Sequence, residues 1–387
     1  MKLKSFIMMC AGAMVAGAAC GADALRPQDG GLWPDDKGVH VNAHGGGVMF
    51  AEGRYWWFGE HKVAGEIGNT AQVGVHVYSS TDLANWRDEG IALAVIDDPK
   101  SDIFKGCIIE RPKVVRMPAT GKYVMYFHLE KNRHYTSALA GIAISDTPKG
   151  PYRFVKCLRP NAGQRPLGAK PEDVTEEAIA KSVALGFLPG GPNEVARTNE
   201  IWPGHLKGGQ MCRDMTLFVD DDKKVYHVFA SEHNSALHLA ELAPDGLSYA
   251  GSWTRLAIKD WTEAPAMFKR DGWYFLIGSG CTGWRPNEAR YYRAKNVLGP
   301  WERMGNPCVG VNPANGLGPE KTWGGQSTCV FKVEGTDEFV AMFDVWRPKD
   351  AIDGRYIWRK VEFPRPGEIR IPFQWKSGKV GKWKSER

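Results

Sequence analysis

Glu263-Ala264-Pro265-Ala266-Met267-Phe268, a turn at Asp271-Gly272, and Trp273-Tyr274-Phe275-Leu276-Ile277 spell out an anchor, an apolar strand, a tight turn and an aromatic strand. The unit recurs. Towards the N-terminus it reads Gly45-Gly46-Gly47-Val48-Met49-Phe50 before Tyr55-Trp56-Trp57-Phe58-Gly59, then Glu110-Arg111-Pro112-Lys113-Val114-Val115 before Tyr123-Val124-Met125-Tyr126-Phe127. Asp214-Met215-Thr216-Leu217-Phe218 precedes Val225-Tyr226-His227-Val228-Phe229, and the last copy is Gln326-Ser327-Thr328-Cys329-Val330-Phe331 before Phe339-Val340-Ala341-Met342-Phe343. Each copy reads as a β-hairpin, and intervening runs such as Val75-His76-Val77-Tyr78 and Gly141-Ile142-Ala143-Ile144 supply outer strands. Five four-stranded units repeated radially predict an all-β, five-bladed β-propeller. A two-sheet sandwich would use as many strands but gives no reason for each hairpin to restart on a matching anchor.

The composition agrees: 15 Trp, 12 Tyr, 45 Gly and 24 Pro suit half-buried strands joined by many turns. One stretch breaks the rhythm. Between about residues 157 and 212 the chain is rich in Pro, Gly and charge and holds one helical signal, over residues 175–185, opened by Thr175 as N-cap. It reads as an insertion into the propeller rather than a sixth blade, placed either against the site or on the solvent side.

Lys2 and Lys4 ahead of an apolar run from Phe6 to Ala19, followed by small residues, have the order of a secretory signal. The expected division is a signal over 1–24, cleaved at Ala22-Asp23-Ala24, and a single catalytic propeller over 25–387. Ala18-Ala19-Cys20 offers a second reading in which Cys20 carries a lipid anchor. An exported, periplasmic, extracellular or surface-tethered protein is expected, with no membrane span. Export would permit disulfides, and Cys157 with Cys212 and Cys281 with Cys308 are the candidate pairs, against buried free thiols. The net charge of +6 comes from basic residues scattered among acidic ones, which predicts no nucleic-acid partner.

In a propeller the first strand of each blade starts near the central axis, so Asn42 with His44, Glu110, Asp214, Glu263 and Gln326 should converge at one mouth. Converging acids push their pKa values apart, which is the raw material of glycoside hydrolysis. Aromatic faces, amides and acids that suit a sugar follow the second strands: Glu60, His128, Glu232, Asn234, Thr282 and Trp284 are the candidate binding residues. Asp220-Asp221-Asp222 reads as a hairpin turn rather than a calcium site, so no cofactor is required, no metal ligand is assigned, and structural calcium finds no support.

These anchors, with Asn42-Ala43-His44-Gly45-Gly46-Gly47, Tyr78-Ser79-Ser80-Thr81-Asp82-Leu83 and Ser279-Gly280-Cys281-Thr282-Gly283-Trp284, resemble glycoside hydrolase family 43, and within it the exo-β-1,3-galactanases. The resemblance implies an inverting, exo-acting enzyme that releases galactose from a galactose-containing polysaccharide such as arabinogalactan. It implies Glu263 as general acid and Asp214 as the modulator of its pKa. The chain departs from the wider family where Asn42-Ala43-His44 offers no first-blade carboxylate. As in the galactanase branch, Gln326 would then hold the attacking water, with Glu110 beside the galactose. A neutral amide is a poor base, so either Gln326 acts through an unusual tautomer or Glu110 is the base. The rivals are a family 43 α-L-arabinofuranosidase or β-xylosidase and a non-catalytic glycan-binding propeller.

Overall fold

A computed structural model of the chain describes residues 30–70, 73–131, 133–185 and 201–374. The expected signal and Cys20 lie outside the described residues. The blades follow one another along the chain. Blade I comprises β1 (His44–Ala51), β2 (Arg54–Glu60), β3 (Gly74–Ser80) and β4 (Arg87–Ala94). Blade II comprises β5 (Ile108–Arg116), β6 (Tyr123–Glu130), β7 (Leu139–Ser145) and β8 (Arg153–Leu158). After helix α1 (Glu176–Leu185), blade III is β9 (Met215–Val219), β10 (Val225–Ser231), β11 (Ala236–Leu242) and β12 (Tyr249–Leu256). Blade IV is β13 (Thr262–Arg270), β14 (Trp273–Gly280), β15 (Ala289–Ala294) and β16 (Glu302–Gly305). In each of these sheets the strands pair in sequence order, antiparallel.

The fifth blade differs from the expected four strands. β18 (Gln326–Lys332), β19 (Phe339–Val345) and β20 (Arg355–Lys360) form a three-stranded sheet, while the chain beyond turns back so that β21 (Ile371–Pro372) pairs in parallel with β17 (Cys308–Val309). The returning segment is spent on covering the seam with blade IV.

The second strand of each blade explains the aromatic runs. Being sandwiched between two neighbouring blades, it is apolar on both faces, and successive side chains go opposite ways. Trp56 and Phe58 enter the core shared with blade II, while Tyr55 and Trp57 enter the core shared with blade V. Likewise Phe275 and Ile277 pack towards blade V, Tyr274 and Leu276 towards blade III. Five such clusters, one per seam, form the core. Among the described residues no strand is exchanged between the first and last blades. Their seam closes on Trp33, Trp57, Trp86 and Trp358 and on Tyr356, whose hydroxyl accepts from Ala43 N at 2.8 Å and donates to Val41 O at 2.9 Å.

The insertion carries the predicted helix, with Thr175 Oγ1 accepting from Ala178 N at 3.2 Å. Trp202 and Leu206 pack it onto the outer part of the seam between blades II and III. Neither candidate disulfide forms: among the described residues all six cysteines are free thiols, and Cys157 donates to Asp102. Asp220 begins a tight hairpin turn, as expected, and ties blade III to blade IV through Lys269 Nζ at 2.6 Å and the Tyr274 hydroxyl at 2.6 Å.

Candidate active site

The anchors are aimed by β-bulges. The first strands of blades I, II, IV and V lose register between His44 and Gly47, Glu110 and Lys113, Glu263 and Ala266, and Ser327 and Cys329. The residue after three of these anchors has a left-handed backbone: Gly45 at φ 64°, Arg111 at 54° and Ala264 at 54°. For Arg and Ala this conformation costs about 1 kcal/mol or more, and each left-handed N–H is caught by a carboxylate of the preceding blade. Asp344 Oδ2 accepts from Gly45 N at 2.9 Å, Glu60 Oε1 from Arg111 N at 3.0 Å, and Asp214 Oδ2 from Ala264 N at 3.1 Å. At Gly45 only glycine fits, because a Cβ would lie 2.0 Å from Glu60 Oε1.

Around the axis this leaves a pocket of about 270 Å³, room for roughly one sugar unit. Glu263, Asp214 and Glu110 face it with Arg111, Arg213 and His128, the amides of Asn234 and Gln326, Tyr135, and the rings of Trp284 and Trp346.

Glu263 is flanked by neutral donors: Gln326 Nε2 bonds its Oε1 at 2.9 Å and Asn234 Nδ2 its Oε2 at 3.3 Å. Burial, then repulsion from Asp214, pushes its pKa up to about 8, against the opposing pull of Arg111. Asp214 in turn is ion-paired to Arg111 at 3.1 Å. This is a carboxyl kept protonated at neutral pH beside one ion-paired to a guanidinium, the surroundings an acid catalyst needs.

Gln326 is fully engaged. Its Oε1 accepts from Arg111 NH2 at 2.6 Å and Trp346 Nε1 at 2.8 Å, and its Nε2 also donates to Ser279 Oγ at 2.8 Å. Both Oε1 partners are fixed N–H donors, so an imidic O–H at that atom would have no acceptor. The geometry favours the ordinary amide.

Glu110 has the opposite surroundings. Its Oε2 meets His128 Nδ1 at 3.1 Å and its Oε1 accepts from the Tyr135 hydroxyl at 2.6 Å. Burial alone would raise its pKa, but the hydrogen bond and charge of His128, with Lys62 and Tyr135, hold it well below the usual carboxylate range.

Of the sequence-predicted binding residues, His128, Asn234 and Trp284 line the pocket with the four anchors. The rest do not line it. Asn42 is buried against the backbone of Lys62, and Glu60 is the latch described above, ion-paired to Lys62 at 2.5 Å. His44 sits beneath Trp346 with ring centroids 4.6 Å apart, its pKa lowered by burial and then by Lys62 and Arg111. Glu232 is held by Arg255 at 2.7 Å and His238 at 2.9 Å, and Thr282 closes its own loop with Asn287 at 2.8 Å. Residues after second strands therefore divide between pocket and scaffold, which the pattern of one chain does not distinguish. Arg111, Tyr135, Arg213 and Trp346 were not among the predicted site residues. Trp346 follows β19 directly, so the rule that singled out Trp284 would have found it in the fifth blade. None of the described residues of the insertion lines the pocket, but Arg159 holds Ser137 O beside it at 3.1 Å.

Glu110, His128 and Asp214 bring donor atoms within 4.8 Å of one another, near enough for a metal. The chemistry is unsuited: both His128 nitrogens face carboxylates, and the Arg111 guanidinium already neutralises Asp214.

A propeller with a one-sugar pocket on its axis, lined by a protonated carboxyl and by two others held by a guanidinium and an imidazole, defines the class of a carbohydrate-cleaving enzyme. The family model of glycosyl hydrolases family 43 matches residues 198–353. A solved family 43 β-1,3-galactosidase with galactodeoxynojirimycin is 45% identical, covering 90% of this chain and 99% of its own, with TM-score 0.82. An exo-β-1,3-galactanase from Clostridium thermocellum is 30% identical over 89% of this chain and 64% of its own, with TM-score 0.70. Among curated proteins, a xylosidase/arabinosidase of Thermoclostridium stercorarium is 32% identical over 117 residues, 28% of this chain. The chain spans 23% and 55% of the length of the curated relatives it matches. The chain belongs to glycoside hydrolase family 43, and its neighbours make it a glycoside hydrolase.

Proposed function

We propose that this chain is an exo-acting, inverting hydrolase that releases terminal galactose from β-1,3-galactan or arabinogalactan-type glycans. Glu263 gives its proton to the glycosidic oxygen as the C1–O bond breaks, and water adds to C1 from the opposite face, its proton passing to Glu110. Asp214 keeps Glu263 protonated, and Gln326 orients it. Glu110 is preferred to Gln326 as base because it is ionised and each oxygen has one protein donor, leaving lone pairs for water, whereas the Gln326 oxygen already accepts two. The single observation that carries the reading is Glu263, half-buried in the wall of a one-sugar pocket and with its pKa pushed up to about 8.

Glu263→Gln should lower release of galactose from β-1,3-galactooligosaccharides by about 10³-fold or more with an unchanged circular dichroism spectrum; full activity would sink the assignment. NMR of the first-formed anomer separates inversion from retention. The partial match to a xylosidase/arabinosidase supports a second reading, hydrolysis of α-L-arabinofuranosides or β-xylosides, and a panel of aryl glycosides decides between the two. The chain is further read as exported, on Lys2, Lys4 and the apolar run after them.

A further inference from the structure

Both oxygens of Glu110 are held by donors that lead back to one other side chain. His128, on Glu110 Oε2, presents its second nitrogen to Glu130 Oε1 at 2.9 Å. Glu130 Oε2 accepts the backbone N–H of Ser137 at 2.5 Å and of Ala138 at 3.1 Å. Those amides end the segment 133–138, which carries Tyr135, and the Tyr135 hydroxyl returns to Glu110 Oε1. The result is a closed ring of hydrogen bonds from Glu110 through His128, Glu130 and the backbone to Tyr135 and back. Glu130 is 0% exposed and does not line the pocket, and Ala138 is left-handed at φ 47°. A carboxylate buried this deeply is costly unless every lone pair is used, and here its bonds fix two walls of the site at once.

We propose that Glu130 is a positioning residue: it orients His128 as an imidazolium against Glu110 and pins the segment that places Tyr135, so that Glu110 meets substrate as a fixed carboxylate. The proposal rests on the assignment of Glu110 to the water side of the reaction. It also accounts for His128, whose two nitrogens are taken by carboxylates and which therefore serves Glu110 rather than a sugar hydroxyl.

The charges around the pair favour this state. Burial alone would lower the pKa of His128, but Glu110 and Glu130 raise it to about 9. Glu110 also faces Lys62, Glu60 and Asp214. Tyr135 lies beside the Arg213 guanidinium, and Arg159 neighbours Glu130. None of these replaces the carboxylate on His128 Nε2.

The test is histidine imidazole NMR on the full chain, with His128 assigned by its loss in His128→Gln. In the wild type His128 should remain an imidazolium through neutral pH; titration near the ordinary value of about 6.5 would by itself overturn the proposal. Glu130→Gln keeps size and can still bond both amides, but leaves the imidazole neutral. Its His128 midpoint should fall by two pH units or more, and the acid limb of galactoside hydrolysis should move up by at least one. An unchanged midpoint would overturn the proposal. Glu130→Asp, with the charge kept and one methylene fewer, should hold the midpoint within about half a unit while raising KM; a fall as large as that of Glu130→Gln would count against it. The titration needs no substrate, so failure of the galactanase reading and failure of this one remain distinguishable.

Discussion

Two carboxyls of the pocket start from the same local structure and finish in opposite charge states. Glu110 and Glu263 each occupy the start of a first strand, each precede a left-handed residue and each sit in front of a β-bulge. Blades III and V flank Glu263 with the amides of Asn234 and Gln326, and blade III sets the Asp214 carboxylate near it, so the proton stays on. Blade II surrounds Glu110 with an imidazolium and a phenol, so the proton leaves. What separates the two carboxyls is therefore the charge of their neighbours, an anion from the preceding blade for Glu263 and an imidazolium from its own blade for Glu110, since position in the strand is shared.

The largest way to break this contrast is at Glu263 itself, where the amide variant has no proton to give. Next is Asp214→Asn, which removes the repelling charge and leaves Arg111 pulling Glu263 down. Turnover at pH 7 should drop about 10²-fold. The accompanying sign is definite: activity needs protonated Glu263, so kcat/KM should hold to neutrality and fall as pH rises through about 8, and in Asp214→Asn that limb should move to lower pH. A limb that stays put would assign it to another group. Smaller is Tyr135→Phe, which takes one of two donors from Glu110. A five- to tenfold loss, about 1–1.4 kcal/mol, is expected in kcat/KM with stability little changed.

Much of the contrast was legible beforehand. The hairpin repeat and its anchors placed Glu110, Asp214, Glu263 and Gln326 at one mouth because strand periodicity and the radial repeat suffice for that. Trp346 needed only the fifth-blade continuation of a rule already in use. Glu60 and Glu232 were different: each is a charged residue after a second strand, as a sugar ligand would be, yet one latches Arg111 N and the other pairs with Arg255 and His238. Likewise the candidate cysteine pairs turn out to be free thiols, and Asp344, unremarked in the sequence, proved to be a latch of the same kind as Glu60.

Alternation along a strand is a local property carried by each hairpin, so the chain alone specifies the five-bladed propeller and which acids reach its axis. Which acid keeps its proton, which polar residues line the pocket and that Glu130 stands behind Glu110 follow from the packing of the blades. Those outcomes depend on burial and on charges brought in from another blade or loop, and no spacing along the chain encodes the distance between them.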